Sequence, residues 1–217
     1  SMDVLTDRAG NPRFSIGENA EGDVTVFSRA AGSGEWKLVE TNPDEAISPV
    51  AFEGENGVLF TVDNEKTGLQ SLVELDLSSG ERKTRWKDDI VSPIGGFSTV
   101  DGRGSVGLKT MPDSVQYHFL KDGGLEVTFL KTLLAKYPGR SISVMNYTDD
   151  GQQAVVVISS DREPPSLYIF NTKDGTIRHR IDAYPWLKPT DLASMRPFWF
   201  QASDGAEIQA YLTLPNG

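Results

Sequence analysis

The 217-residue sequence contains no cysteine and only two histidines. Disulfides, thiolate metal sites and cysteine nucleophiles are therefore excluded, and a histidine-rich metal centre lacks ligands. No apolar run approaches the roughly 18 residues that a membrane helix needs, and no charged-then-apolar start is present, so neither a transmembrane segment nor a signal peptide is expected. Basic residues are in the minority: 21 Lys and Arg against 31 Asp and Glu give a formal charge of −10. Binding to a phosphate backbone rests on clustered cations and is not expected. Helical periodicity is scarce too. The one helical stretch, Leu130 to Tyr137, stops at Pro138-Gly139 and reads as a two-turn excursion too short to organise a core. Ser1-Met2 reads as an expression scar.

Most apolar residues fall in short alternating stretches of β-branched and aromatic side chains. Val24-Thr25-Val26-Phe27, Val58-Leu59-Phe60-Thr61-Val62 and Ala154-Val155-Val156-Val157-Ile158 are examples, each fenced by Gly, Asp, Asn or Pro. These patterns predict strands, and the strands repeat. Leu72-Val73-Glu74-Leu75-Asp76-Leu77-Ser78-Ser79-Gly80 matches Leu167-Tyr168-Ile169-Phe170-Asn171-Thr172-Lys173-Asp174-Gly175 position by position, 95 residues on. That offset is about two units of the ~40–50 residues that a propeller blade occupies. Turn glycines Gly34, Gly80, Gly124 and Gly175 space out at 46, 44 and 51 residues, and Ile47-Ser48-Pro49 against Val91-Ser92-Pro93 gives 44. The expected fold is all-β: a partial β-propeller of four-stranded antiparallel blades, with an incomplete blade at about 12–42 and complete ones at about 46–89, 90–138 and 140–184. Closed propellers have about 4–8 blades, so the chain reads as a piece of a larger ring.

After Tyr184-Pro185-Trp186-Leu187 the repeat stops, and 188–193 read as a linker. Residues 197–215 then read as a hairpin, with Asp204-Gly205 as its turn between two alternating runs. The string Met195-Arg196-Pro197, the Phe198-Trp199-Phe200 strand, Ser203-Asp204-Gly205 and Ile208-Gln209-Ala210-Tyr211-Leu212-Thr213-Leu214-Pro215 resembles the start of the α/β-hydrolase domain in serine peptidases of the prolyl oligopeptidase family, nearest the acylaminoacyl-peptidase and dipeptidyl-peptidase branches. Ala210 stands where that family commonly has glycine. The resemblance implies a partial propeller at 3–187, and a linker and first hydrolase hairpin at 188–217. It implies a catalytic domain outside this chain, a propeller that admits and positions short peptides, and no cofactor.

The residues that remain offer little chemistry of their own. The family's nucleophile sits in a G-x-S-x-G elbow. The nearest string, Gly96-Phe97-Ser98-Thr99-Val100, has Val at the last position and no helix after it. His118 and His179 fall in predicted strands and read as packed or surface residues. Gly102-Arg103-Gly104-Ser105-Val106-Gly107 is a G-x-G-x-x-G in form, but strand rather than helix follows, so it reads as a blade turn. No catalytic or metal-ligating residue is expected, and the chain by itself is expected to be inactive.

One charged loop is a candidate substrate contact: Asp161-Arg162-Glu163-Pro164-Pro165, in which Arg162 suits a peptide carboxylate or carbonyl and Glu163 a free amino terminus. Its alternative is a solvated connection stiffened by two prolines. Trp186 and Trp199 flank the junction and are expected to fill a contact with the hydrolase domain. Two rival readings are a stand-alone interaction propeller and a glycosidase-like propeller enzyme, and paired carboxylates for the latter are not evident. Unpaired blade edges and the hairpin predict self-association of the isolated chain.

Overall fold

Alternating strands separated by tight Asx turns build five antiparallel sheets in the computed structural model, which describes residues 3–7, 9–19, 24–39, 45–64 and 66–215. The chain divides into two units, residues 1–110 with 117–121, and residues 111–116 with 122–217.

The first unit holds three sheets. Strands β1 (Asp3–Thr6), β2 (Pro12–Glu18), β3 (Val24–Ser28) and β4 (Lys37–Val39) form one meander, and β5 (Glu45–Glu53), β6 (Gly57–Asn64), β7 (Gln70–Asp76) and β8 (Arg82–Trp86) a second. The third sheet has only β9 (Gly95–Ser98), β10 (Ser105–Thr110) and β11 (Gln116–Phe119). Strand β6 explains its nearly unbroken apolar sequence: Val58, Phe60 and Val62 meet Phe14 and Val26 of the first sheet on one face, while Leu59 joins Leu72 and Leu108 on the other. A sheet buried on both sides loses the alternation of a half-exposed one. Arg13, 4% exposed, fastens the first sheet to the second. It donates to the Arg29 and Glu55 carbonyls, the Asp7 carboxylate and Asn56 Oδ1, which satisfies a charge that would otherwise be costly to bury.

The repeat has a physical basis in its turn. Asp76 Oδ1 accepts the amides of Ser78 and Ser79, and Asn171 Oδ1 accepts those of Lys173 and Asp174. In each copy the glycine four residues on donates to the Asx carbonyl, from a left-handed φ of +78° at Gly80 and +65° at Gly175. A third copy of the turn, at Asn64–Gly68, lies between β6 and β7.

The second unit holds α1 (Leu125–Lys136), a sheet of β12 (Ser141–Tyr147), β13 (Gln153–Ser159), β14 (Ser166–Asn171) and β15 (Ile177–Asp182), and the pair β16 (Met195–Gln201) and β17 (Glu207–Thr213). Val127, Phe129, Leu130 and Leu133 of α1 are buried, with Phe129 set edge-on to Phe170 and Tyr147. Lys136 in the last turn of α1 donates to the Gly175 carbonyl. Among the described residues no helix is long and apolar enough to cross a membrane.

Three expectations are corrected. The first sheet is complete, because Asp3–Thr6 pairs with β2. The third has three strands: Gly124 is the cap of α1, at φ +110°, rather than a strand turn. Finally, α1 runs for 12 residues and supplies core side chains, so its apolar face does organise packing. The G-x-G-x-x-G string is the turn between β9 and β10, with Gly102 at φ +69°. Its last glycine serves sheet packing, since a Cβ on Gly107 would collide with the His118 carbonyl.

Candidate functional site

The loop 160–165 joins β13 to β14, closed by the Ser160 amide donating to the Glu163 carbonyl. Three successive side chains leave it toward three different segments. Asp161 Oδ2 accepts the Met195 amide at the start of β16, 2.8 Å away. Arg162 Nη2 donates to the Pro189 carbonyl at 3.3 Å. Glu163 receives Nε and Nη2 of Arg140, the second at 2.6 Å, in a side-on fork. The Arg140 guanidinium holds the Glu163 carboxyl below its ordinary range, and the carboxylate raises Arg140 in turn.

Glu163 and Arg140 open onto a cleft of about 310 Å³, at the small end of the range for ligand pockets. Its floor is Tyr168 on β14, directly opposite Arg180 on β15. The guanidinium lies 5.5 Å from the centre of the Tyr168 ring and engages Asp182 through Nε at 2.7 Å. Ser166 Oγ also donates to Asp182, and these two bonds, the serine's first, lower that carboxyl's pKa. Tyr137, the C-cap of α1, stands with its ring 6.1 Å from that of Tyr168. Burial raises the Tyr137 phenol, as does the neighbouring Tyr168, while the two guanidiniums oppose the shift. Pro164, Pro165 and Leu187 supply an apolar wall. The arrangement can hold an extended polar chain by hydrogen bonds.

Of the two sequence candidates, Glu163 lines the cleft and Arg162 ties down the linker beside it. Tyr137, Arg140, Tyr168, Arg180 and Asp182 were not singled out from sequence. Counting back across the Asn171–Thr176 turn sets Tyr168 against His179, and a bulge between Ile169 and Phe170 shifts its partner to Arg180, so this pair carries no sequence signal. His118 bonds Thr110 Oγ1 at 2.9 Å and packs on Trp86, and Ser98 sits in strand β9 rather than on an elbow. A hollow of about 540 Å³ in the first unit is lined by Arg13, Glu53 and Lys121, but these are occupied with structural partners. Trp186 is 70% exposed, and Phe198, Trp199 and Phe200 are each more than 40% exposed.

Comparison with solved structures settles the fold. A prolyl endopeptidase, one of two studied for inter-domain dynamics in catalysis and specificity, matches with a TM-score of 0.59 at 14% identity, over 99% of this chain and 31% of its own. Prolyl oligopeptidase B from Galerina marginata, bound to a 25mer macrocyclization substrate, gives 0.57 at 11% identity, over 97% and 30%. The chain has the fold of the β-propeller region of prolyl oligopeptidases. A puromycin-hydrolyzing peptidase of Mycobacterium tuberculosis matches with a TM-score of 0.52 at 15% identity, over 87% of this chain and 29% of its own. The propeller-like chain thus spans about a third of the length of the structures it matches. No family-level sequence profile and no curated protein matches it.

Proposed function

We propose that this chain is the propeller segment and junction of a serine peptidase of the prolyl oligopeptidase type, which admits and positions short peptides for a hydrolase domain outside the chain. Residues 3–187 are the propeller part, and 188–217 the linker and first hydrolase hairpin. The branch suggested by the junction motif is acylaminoacyl- or dipeptidyl-peptidase. The observation that carries this reading is the hairpin β16–β17. Phe198, Trp199 and Phe200 are consecutive and alternate between its two faces, and all three are exposed together with Leu212 and Leu214. A two-stranded sheet is marginal alone, and apolar residues on both faces call for cover on each side.

Within this reading the loop 161–165 borders the peptide path. Glu163 and Arg140 stand inside the cleft, and Arg162 holds the linker next to it. In isolation the uncovered hairpin supports self-association, which light scattering at rising concentration measures; a strict monomer counts against it. The test of function is turnover of aminoacyl and peptidyl chromogenic substrates by this chain and by a chain extended through a hydrolase domain. Activity in the longer chain alone, blocked by a serine-directed phosphonate, is expected. Inactivity of both would reject the peptidase reading in favour of an interaction module.

A further inference from the structure

The cleft lined by Tyr137, Arg140, strands β14 and β15 and the segment 184–189 has an asymmetry in its hydrogen-bonding capacity. Its two carboxylates are already engaged, Glu163 by the fork of Arg140 and Asp182 by Ser166 and Arg180. What remains is donor capacity. Tyr168 has a buried ring and lines the cleft, where its solvent-accessible hydroxyl makes no hydrogen bond to the described residues. The Tyr137 hydroxyl is likewise without one, and Arg180 uses Nε on Asp182 and neither terminal nitrogen. Tyr168, its cross-strand neighbour Arg180 and Tyr137 stand together around one small space.

We infer that this cleft binds the carboxylate of a short peptide, with Arg180 as the charged anchor and the Tyr168 and Tyr137 hydroxyls as its further donors. The inference rests on the peptide-positioning role proposed above and adds the group recognised. Charge selects the ligand class. Arg140 and Arg180 are balanced by Glu163 and Asp182, so the cleft can take one negative charge on spare donors but offers no surplus cation for a phosphate dianion. The planar guanidinium fits a carboxylate's two oxygens, and Pro164, Pro165 and Leu187 give the adjoining side chain an apolar wall. The carboxylate can be the chain terminus or an acidic side chain.

Calorimetric titration of the present chain tests this with three peptides: acetyl-Ala-Ala-Leu with a free carboxylate, its C-terminal amide, and acetyl-Ala-Glu-Leu-amide. Inorganic phosphate is the fourth probe. One or both carboxylate peptides should bind about tenfold or more tightly than the neutral amide, and which of them does so identifies the source of the carboxylate. Tyr168→Phe should weaken that binding several-fold and Arg180→Gln at least tenfold, with unchanged far-ultraviolet circular dichroism; Arg180 lies on an exposed strand, so its loss should leave the fold intact. Equal binding of acid and amide, binding untouched by both variants, no binding of any peptide, or tighter binding of phosphate would each overturn the inference. Turnover by the extended chain is a separate readout. Acid-selective binding without turnover would reject the peptidase and keep the cleft, whereas turnover without acid-selective binding would do the reverse.

Discussion

Replacing Phe129 by alanine removes a fully buried ring from the face of α1 that packs on the β12–β15 sheet. The ring meets Phe170 at 6.1 Å and Tyr147 at 6.4 Å between centroids, both at 65°. Each edge-on contact is worth about 0.5–1.5 kcal/mol beyond burial, and the whole truncation, cavity included, about 3–5 kcal/mol. Neighbours held in strands cannot collapse far into the space, which favours the upper part of that range. Phe129→Leu keeps most of the volume and should cost about 1.5 kcal/mol or less. Leu125→Ala, at the exposed start of the helix, should cost about 0.5 kcal/mol. Urea titration followed by circular dichroism reads the difference: with a slope of about 2 kcal/mol per molar, a 4 kcal/mol loss moves the midpoint by about 2 M. If Phe129→Ala falls within about 1 kcal/mol of Leu125→Ala, the helix is not packed on the sheet as described and the account of this unit's core fails.

Other substitutions probe separate parts of the structure. Arg13→Met should destabilise by about 1–3 kcal/mol, because it removes the donor to the Arg29 and Glu55 carbonyls at the junction of the first two sheets; chemical denaturation measures this. Gly107→Ala should cost about 1–3 kcal/mol by the same assay, because its methyl group meets the His118 carbonyl. Tyr211→Phe removes donation to the Met111 and Pro112 carbonyls, so amide exchange in β17 should rise by about fivefold for a bond worth ~1 kcal/mol. The Asp76 carboxyl is lowered to about 2, chiefly by the Ser78 hydroxyl and then by the turn amides. A depressed folded value means that its contribution is complete above the ordinary value of 3.8 and fades as pH falls through about 2. Asp76→Asn, which keeps a neutral acceptor for the turn, should therefore flatten the acid limb of a stability–pH curve, lowering stability near neutrality and converging with the parent chain at low pH.

The repeat was legible because it is local chemistry. An Asx side chain that folds back on the next two amides, with glycine four residues on, has the same appearance in sequence wherever a β-turn of this shape is needed, and Asp76–Gly80 and Asn171–Gly175 both show it. Strand β6 reads in sequence as one more alternating stretch, and its burial on both faces shows only in the packing of Val58, Phe60 and Val62 on one side and Leu59 on the other. The missing fourth strand of the third sheet was not legible. Gly123-Gly124 has the look of another turn, and the apolar residues of 125–130 are arranged ambiguously until the helix places Val127, Phe129 and Leu130 against the neighbouring sheet. Strand β1 was missed for a different reason: four residues carry too little pattern, and their pairing is fixed by β2.

The site was harder to see than the fold, since its members are ordinary residues at ordinary positions. Arg162 and Glu163 attracted attention as charges in a proline-stiffened loop. Yet the side chain that decides the chemistry of the cleft is Tyr168, whose sequence neighbours describe only a buried strand. Its significance comes from three-dimensional surroundings, a hydroxyl that faces the cleft with no partner among the described residues, and from Arg180, which reaches it only through the bulged pairing of β14 with β15. The charges a sequence displays most openly are spent here on one another and on the linker. The capacity left over, two phenols and the end of one guanidinium, can be counted only after those internal bonds are known, and that remainder, more than the loop's formal charge, sets which ligand the cleft can hold.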